Sequence, residues 1–255
     1  MIKRTLTAFA VVAIAATAAQ ATVVDLTTAD SGSIRGALFY ETSTQPTGTG
    51  YIDPFLREQT SGSGGIEQGY NTSGGTPFDD KAGIFTHDIT LADLNSTVTT
   101  INGTQYYTIL LDVNEPTGSK SLISLDSLIL YTSTQCSLTT TDISQLGIVR
   151  YSLDSNGQDN TVLIDASRNH GSGSGDVYIY IPVANFAGAS PTDCVYLYAQ
   201  FGGADSSDGG FEEFALVRNL TPVPEMNALF PIVGLLAAVL STRFLRRRAQ
   251  ARIAA

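Results

Sequence analysis

The chain has 255 residues, with 14 Lys+Arg against 24 Asp+Glu, a formal charge of −10 and a pI near 4.5. That balance argues against a nucleic-acid binder, which needs a basic face to displace counterions from phosphates. Only 15% of residues are charged, whereas 24 are Gly, 23 Ser and 30 Thr and none is Trp. Such a composition suits a Thr-rich β protein outside the cytosol better than a helical enzyme, and the length allows a sizeable core.

Residues 1–21 read as a secretory signal peptide. Lys3 and Arg4 form the positive start, residues 6–16 are apolar apart from Thr7, and Ala19-Gln20-Ala21 supplies the small-x-small site, predicting cleavage after Ala21. The apolar run is too short to span about 30 Å of hydrocarbon.

Residues 22–220 alternate β-patterned runs with Gly/Ser/Thr/Asn turns. Strands are expected at 33–40, 84–90, 106–113, 122–132, 147–153, 161–165, 177–181, 195–201 and 211–217. Alternation is clearest in Val177-Tyr178-Ile179-Tyr180-Ile181 and in residues 195–201. In both, aliphatics take one face and tyrosines the other, as on a sheet whose second face is only partly covered. Short helical turns fit Leu91-Ala92-Asp93-Leu94, with Thr90 as N-cap, and residues 183–186. The segment 41–83 reads as a long loop over one end, where binding residues usually sit. The expected fold is all-β, an antiparallel β-sandwich of the jelly-roll kind.

Cys136 and Cys194 are the only cysteines. In an exported protein the simplest reading is a disulfide; the other reading is two buried free thiols.

Residues 221–255 form a second targeting device. Pro224-Glu225-Met226 leads into an apolar stretch at 228–240, followed by Arg243, Arg246, Arg247, Arg248 and Arg252. The stretch is long enough to cross a membrane if residues 241–245 extend it with Arg243 snorkelling, and the arginines hold its end in the cytoplasm. Between the two ends, residues 22–223 carry seven basic against 23 acidic residues, a net of −16. Such a surface gathers divalent cations.

A Pro-Glu lead, a short Gly-containing apolar span and a terminal Arg cluster resemble the PEP-CTERM sorting signal of Gram-negative bacteria. Pro224 and Glu225 match its first two positions and Arg246, Arg247 and Arg248 its basic tail, while Met226 stands where a second Pro is usual. The resemblance implies recognition by exosortase, a membrane-embedded cysteine transpeptidase. The chain would be anchored in the inner membrane by its C-terminal helix before processing, then released or attached at the cell surface. Further words resemble a group of uncharacterised PEP-CTERM exported proteins, across most of residues 34–217. They are Gln45-Pro46-Thr47-Gly48-Thr49-Gly50, Asp53-Pro54-Phe55, Glu67-Gln68-Gly69-Tyr70-Asn71-Thr72, Thr86-His87-Asp88, Leu110-Leu111-Asp112-Val113-Asn114-Glu115, Ser124-Leu125-Asp126 and Gly210-Phe211-Glu212-Glu213. That group brings no catalytic role.

Catalytic chemistry finds little to work with. His87 and His170 are the only histidines, no G-x-S-x-G elbow nominates a serine, and no zinc spacing occurs. The Gly-rich stretches lack a phosphate-loop pattern. Glu212 and Glu213, adjacent on a strand, would point to opposite faces; for the carboxylate pair that a glycosidase needs, Asp112, Glu115 and Asp126 are the candidate partners of one of them, and nothing in the sequence selects among them. Residues 205–212 and 154–160 cluster hard oxygen ligands that could take calcium, although Asp, Asn, Ser and Gly are also ordinary turn residues; Asp79-Asp80-Lys81 is a weaker case. Four N-x-S/T sequons, at Asn71, Asn95, Asn102 and Asn219, read as chance matches in a Thr-rich chain.

The expectation is therefore a non-enzymatic surface or matrix protein, without assigned cofactor, associated with extracellular polysaccharide or biofilm. The alternative is a carbohydrate-binding module using tyrosine platforms and calcium.

Overall fold

The computed structural model describes residues 21–42, 52–60, 64–116, 118, 120–155, 157–168 and 175–217. Most of the expected signal peptide, the sorting motif and the apolar span at 228–245 lie outside the described residues. Among the described residues no helix is long and apolar enough to cross a membrane.

The strands are, in order, β1 (Val23–Asp25), β2 (Ser31–Ile34), β3 (Ala37–Glu41), β4 (Ile52–Glu58), β5 (Glu67–Tyr70), β6 (Ile89–Thr90) and β7 (Val98–Ile101). They continue with β8 (Thr104–Val113), β9 (Leu122–Ser133), β10 (Ile148–Ser152), β11 (Thr161–Asp165), β12 (Val177–Pro182), β13 (Cys194–Phe201) and β14 (Glu212–Val217). One sheet runs β1-β11-β9-β13-β5, with β10 on β9 and β6 on β13. The other runs β2-β3-β12-β8-β14-β4, with β7 on β8. The protein is thus an all-β sandwich whose chain passes repeatedly from one sheet to the other.

The alternating runs behave as their pattern dictates. Val177, Ile179 and Ile181 of β12 and Val195, Leu197, Ala199 and Phe201 of β13 meet in one core between the sheets, with Leu111, Phe214 and Leu216. Asp126 is an extra residue in β9, opposite the step between Gln200 and Phe201. This bulge lets Leu125 and Leu128, three apart, face the same core. The five-residue helix α1 (Leu91–Asn95) is capped as expected by Thr90, in a reciprocal capping box with Asp93, and buries Leu91 and Leu94. A 3₁₀ turn occupies Val183–Phe186.

Several expectations are corrected. Residues 33–40 are not one strand but the hairpin β2–β3. Its turn residues Arg35 and Gly36 both have positive φ, 51° and 85°, as a tight two-residue turn requires. Of 84–90 only Ile89–Thr90 is paired, as β6. The segment 41–83 is not simply a loop, because it supplies β4 and β5, the terminal strands of the two sheets. Pro54 lies at the irregularity in the β4–β14 pairing, the kind of edge position where a missing N–H is tolerated. The sandwich is also not wholly antiparallel, since β1 runs parallel to β11.

Candidate functional site

Tyrosines mark both outer faces, with different outcomes. On β13, Tyr196 and Tyr198 join Tyr70, Tyr131 and Leu146 in a second buried cluster. The chain after β9 covers them. The Tyr196 hydroxyl donates to the Gln135 carbonyl at 2.9 Å and accepts from the Leu138 amide at 3.1 Å. The Tyr70 hydroxyl donates to the carbonyls of Leu138 and Thr140. Cys136, in the same covering segment, is bonded to Cys194 at the start of β13, with Cα atoms 5.5 Å apart. The expected disulfide is present. The face expected to be only partly covered is, on this sheet, closed.

The other sheet leaves its tyrosines outside. Tyr40 of β3 is 38% exposed, and Tyr106, Tyr178 and Tyr180 are half-buried. Tyr180 sits at the centre, with ring centroids 5.6 Å from Tyr40, 6.1 Å from Tyr178 and 6.4 Å from Tyr106. The period-two pattern of β12 places them there, because Tyr178 and Tyr180 must face away from the core that holds Ile179.

Carboxyl groups meet where β4 and β5 close one side of the sandwich. Glu58 and Glu212 are directly opposed across β4 and β14, and Glu67 of β5 is opposed to core residue Phe201. All three glutamates are fully buried, Asp80 and Glu115 nearly so. Glu212 shares its strand face with Phe214 and Leu216, so the strand alternation turns it inward. Asp80 is bridged to Glu58. Burial, then the charges of Glu67, Asp80 and Asp79, pushes the Glu58 carboxyl well up. Burial, and after it the neighbouring Glu67, Glu115 and Glu58, do the same to Glu212. Asp80 is raised to about 6, chiefly by burial, and Glu115 is raised for the same reason.

The residues singled out in the sequence separate accordingly. Glu212 and Glu115 come together, joined by Glu58 and Glu67, which the sequence reading passed over as part of a loop. Glu213 points the other way, as expected, and Arg57 Nε donates to it at 2.6 Å. Asp126 accepts the amides of Gly203 and Ala204, so it anchors a loop instead of facing Glu212. In that same loop Asp208 pairs with Lys120 at 3.0 Å and donates its amide to Glu115. Asp154 is bound to the Asn160 amide within its own turn. His87 lies outside the strands, with Nδ1 3.1 Å from the Ile84 carbonyl, while its neighbour Asp88 is held by Ser73 and Ser137. His170, Ala19, Gln20 and the sorting residues Pro224, Glu225, Met226, Arg246, Arg247 and Arg248 lie outside the described residues; Ala21 is exposed ahead of β1.

The sequon asparagine Asn71 is fully buried. Its side chain accepts from the Leu197 amide at 2.6 Å and donates to the Val195 carbonyl at 2.9 Å, extending the ladder beyond β5.

No family model, no curated protein and no solved structure matches the chain.

Proposed function

We propose that the chain is a non-enzymatic protein of the cell surface or extracellular matrix, exported and then sorted by an exosortase-type transpeptidase. Its role is association with extracellular polysaccharide or biofilm. The supporting observation is the Cys136–Cys194 bond, since such bonds persist in oxidising compartments outside the cytosol. The signal-peptide pattern ahead of Thr22 and the Pro224-Glu225 lead with its Arg tail agree with that compartment. The strand order β4-β14-β8-β12 over β5-β13-β9-β11 winds as a jelly roll does, a scaffold whose function lies in what is placed on it. The test is expression with and without a cognate exosortase, followed by mass spectrometry of the mature termini. Cleavage after Ala21 in both strains, with the C-terminal tail lost only beside exosortase, is the expected result. An intact tail in both strains defeats the sorting reading.

The outward-facing quartet of Tyr40, which is exposed, and half-buried Tyr106, Tyr178 and Tyr180 favours a second reading, a carbohydrate-binding module. Aromatic faces stack on apolar sugar faces, and the first reading makes no use of this surface. Retention on polysaccharide that is lost in Tyr178→Ala and Tyr40→Ala would establish it. Equal retention of parent and variants would dismiss it.

A further inference from the structure

Residues 79–81 bridge the two sheets on the side closed by β4 and β5. At the end of β4, the Asp79 carbonyl accepts the Gln59 amide at 3.1 Å and the Lys81 amide donates to the Arg57 carbonyl at 2.8 Å. On β5, the Asp79 amide donates to the Gln68 carbonyl at 2.9 Å, and Asp79 Oδ2 accepts the Gln68 amide at 3.1 Å. This short strap thus holds the terminal strands of both sheets. At its middle Asp80 turns inward, 3% exposed, bridged to Glu58. A Cβ at Gly69 of β5 would stand 3.1 Å from both Asp80 Cβ and Glu58 Cγ, so strap and β4 meet over that glycine. An open hollow of about 310 Å³ lies against the strap, lined by Gln59, Phe78, Asp79, Asp80 and Lys81.

The inward carboxyl groups lack partners. Asp80 accepts the Phe78 amide through Oδ1 at 3.0 Å, but its Oδ2 and both oxygens of Glu58 and of Glu212 are buried without a hydrogen-bond partner. The charges that reach them are all acidic. For Glu58 they are Glu67, Asp80 and Asp79, for Asp80 Asp79, and for Glu212 Glu67, Glu115 and Glu58. Glu58 acts in turn on Tyr198 of β13, and Asp80 on Tyr70 of β5. Among the described residues no ion pair joins Glu58, Asp80 or Glu212 to Lys, Arg or His; Lys120 is spent on Asp208 and Arg57 on Glu213. Nor, among the described residues, do any three His, Cys, Asp or Glu form a group that could hold a metal ion. A buried carboxylate without counter-charge is costly, and like charges nearby raise that cost, so the closed strap selects the neutral acids.

We infer that residues 79–81 are a proton-operated strap, held closed over the β4–β5 side of the sandwich while Glu58, Asp80 and Glu212 keep their protons and released as they ionise. The direction follows from linkage. The lifted or unfolded chain gives up these protons above about pH 4. The closed form gives them up only at its raised values, about 6 for Asp80 and well above the ordinary range for the two glutamates. Closure is therefore fully favoured below the ordinary carboxyl range and weakens as pH rises through that window. The strap gives first because it is a short segment, whereas β12 is paired along both edges, with β3 and β8. Ionised Asp80 then has the hollow beside it as a way to water. The inference is independent of the sorting signal.

The experiment is amide hydrogen exchange of the full chain, read by mass spectrometry at about pH 5.5 and about pH 8 and corrected for the intrinsic rate at each pH. Peptides covering residues 76–82 are expected to lose protection by about tenfold or more at the higher pH, since each proton released shifts opening about tenfold per pH unit. Peptides covering β12 should change by less than about threefold, which separates local lifting from global loosening. Glu58→Gln and Glu212→Gln keep the shape of the neutral acid and cannot ionise, so each should remove most of the pH response; Asp80→Asn gives the same test on the strap itself. Asp159→Asn, at an exposed turn, should respond as the parent does. Equal protection of residues 76–82 at both pH values would overturn the inference. So would a loss shared equally by β12, or a full pH response in those of the three amide variants that fold.

Discussion

Arg57 and Glu213 stand directly opposite each other on β4 and β14, and the guanidinium that grips Glu213 is also held between two rings. Phe85 lies 3.8 Å and Phe211 4.7 Å from its central carbon. A lysine keeps the charge but loses the flat stack and the directed Nε bond. Arg57→Lys is expected to lower stability by about 1–2 kcal/mol, a cation–π and partly buried ion-pair effect. Lys120→Met, which breaks the more exposed pair with Asp208, should change it by no more than ~0.5 kcal/mol. Urea midpoints of the two variants give the comparison; equal effects would refute the role of the rings.

The covering segment after β9 is fastened twice, by cystine and by tyrosine hydroxyls. Closing a loop of 58 residues is worth on the order of 4 kcal/mol in the chain-entropy account, so reduction should lower the unfolding free energy by roughly 2–4 kcal/mol. Tyr196→Phe, which removes the bonds to Gln135 and Leu138, should cost about 1–2 kcal/mol with the cystine intact. Denaturant curves with and without reductant test both, and an unchanged midpoint on reduction would dismiss the fastening.

Asn71 substitutes for a strand. Asn71→Ala would leave the Leu197 amide and Val195 carbonyl unpaired at a site with no access to water. A loss of roughly 2–4 kcal/mol is expected, two buried groups at the usual 1–3 kcal/mol each being partly relieved by relaxation. The same burial predicts that Asn71 stays unmodified when the chain is secreted from a glycosylating host, which peptide mapping would show.

Asp176, just before β12, accepts the Val113 amide at 2.7 Å through Oδ2 and leaves Oδ1 buried without a partner. Burial raises its carboxyl most; the Val113 bond opposes this, and repulsion from Asp112, Glu41 and Asp165 adds to it, bringing the pKa to about 8. From pH 4 to 8 the folded chain keeps a proton that the unfolded chain has released. Stability therefore falls as pH rises through that window and levels off above it. Asp176→Asn should flatten this slope and exceed the parent in stability at pH 8. Comparing parent and variant midpoints from pH 5 to 9 isolates Asp176 from the other buried carboxyls, and parallel curves would count against its titration.

What could be read in the sequence follows from how side chains announce burial. Residues 177–181 and 195–201 alternate plainly, and Thr90 with Asp93 announces a helix start, so these elements stand where expected. The cystine was legible from the even cysteine count together with the signal-peptide pattern of residues 1–21. Two tight turns hid differently: Asn102-Gly103 shows itself as a turn, whereas Arg35 at φ 51° gives no warning that residues 33–40 fold back. The carboxyl cluster escaped for a deeper reason. Alternation assigns charged positions to water, and β4 and β5 each carry a glutamate at an inward position, so the pattern that identifies a strand is inverted at Glu58 and Glu67. Adjacent Glu212 and Glu213 offered the only hint, since one of two neighbours on a strand has to face inward.

The placement of β14 bears on how the domain resists tension. This last described strand is interior, hydrogen-bonded to β8 on one edge and β4 on the other. A pull transmitted through residue 218 must drag a strand gripped along both sides, not peel away a rim. A domain tethered by that end would then withstand flow or shear through slow rupture kinetics, whatever its equilibrium stability.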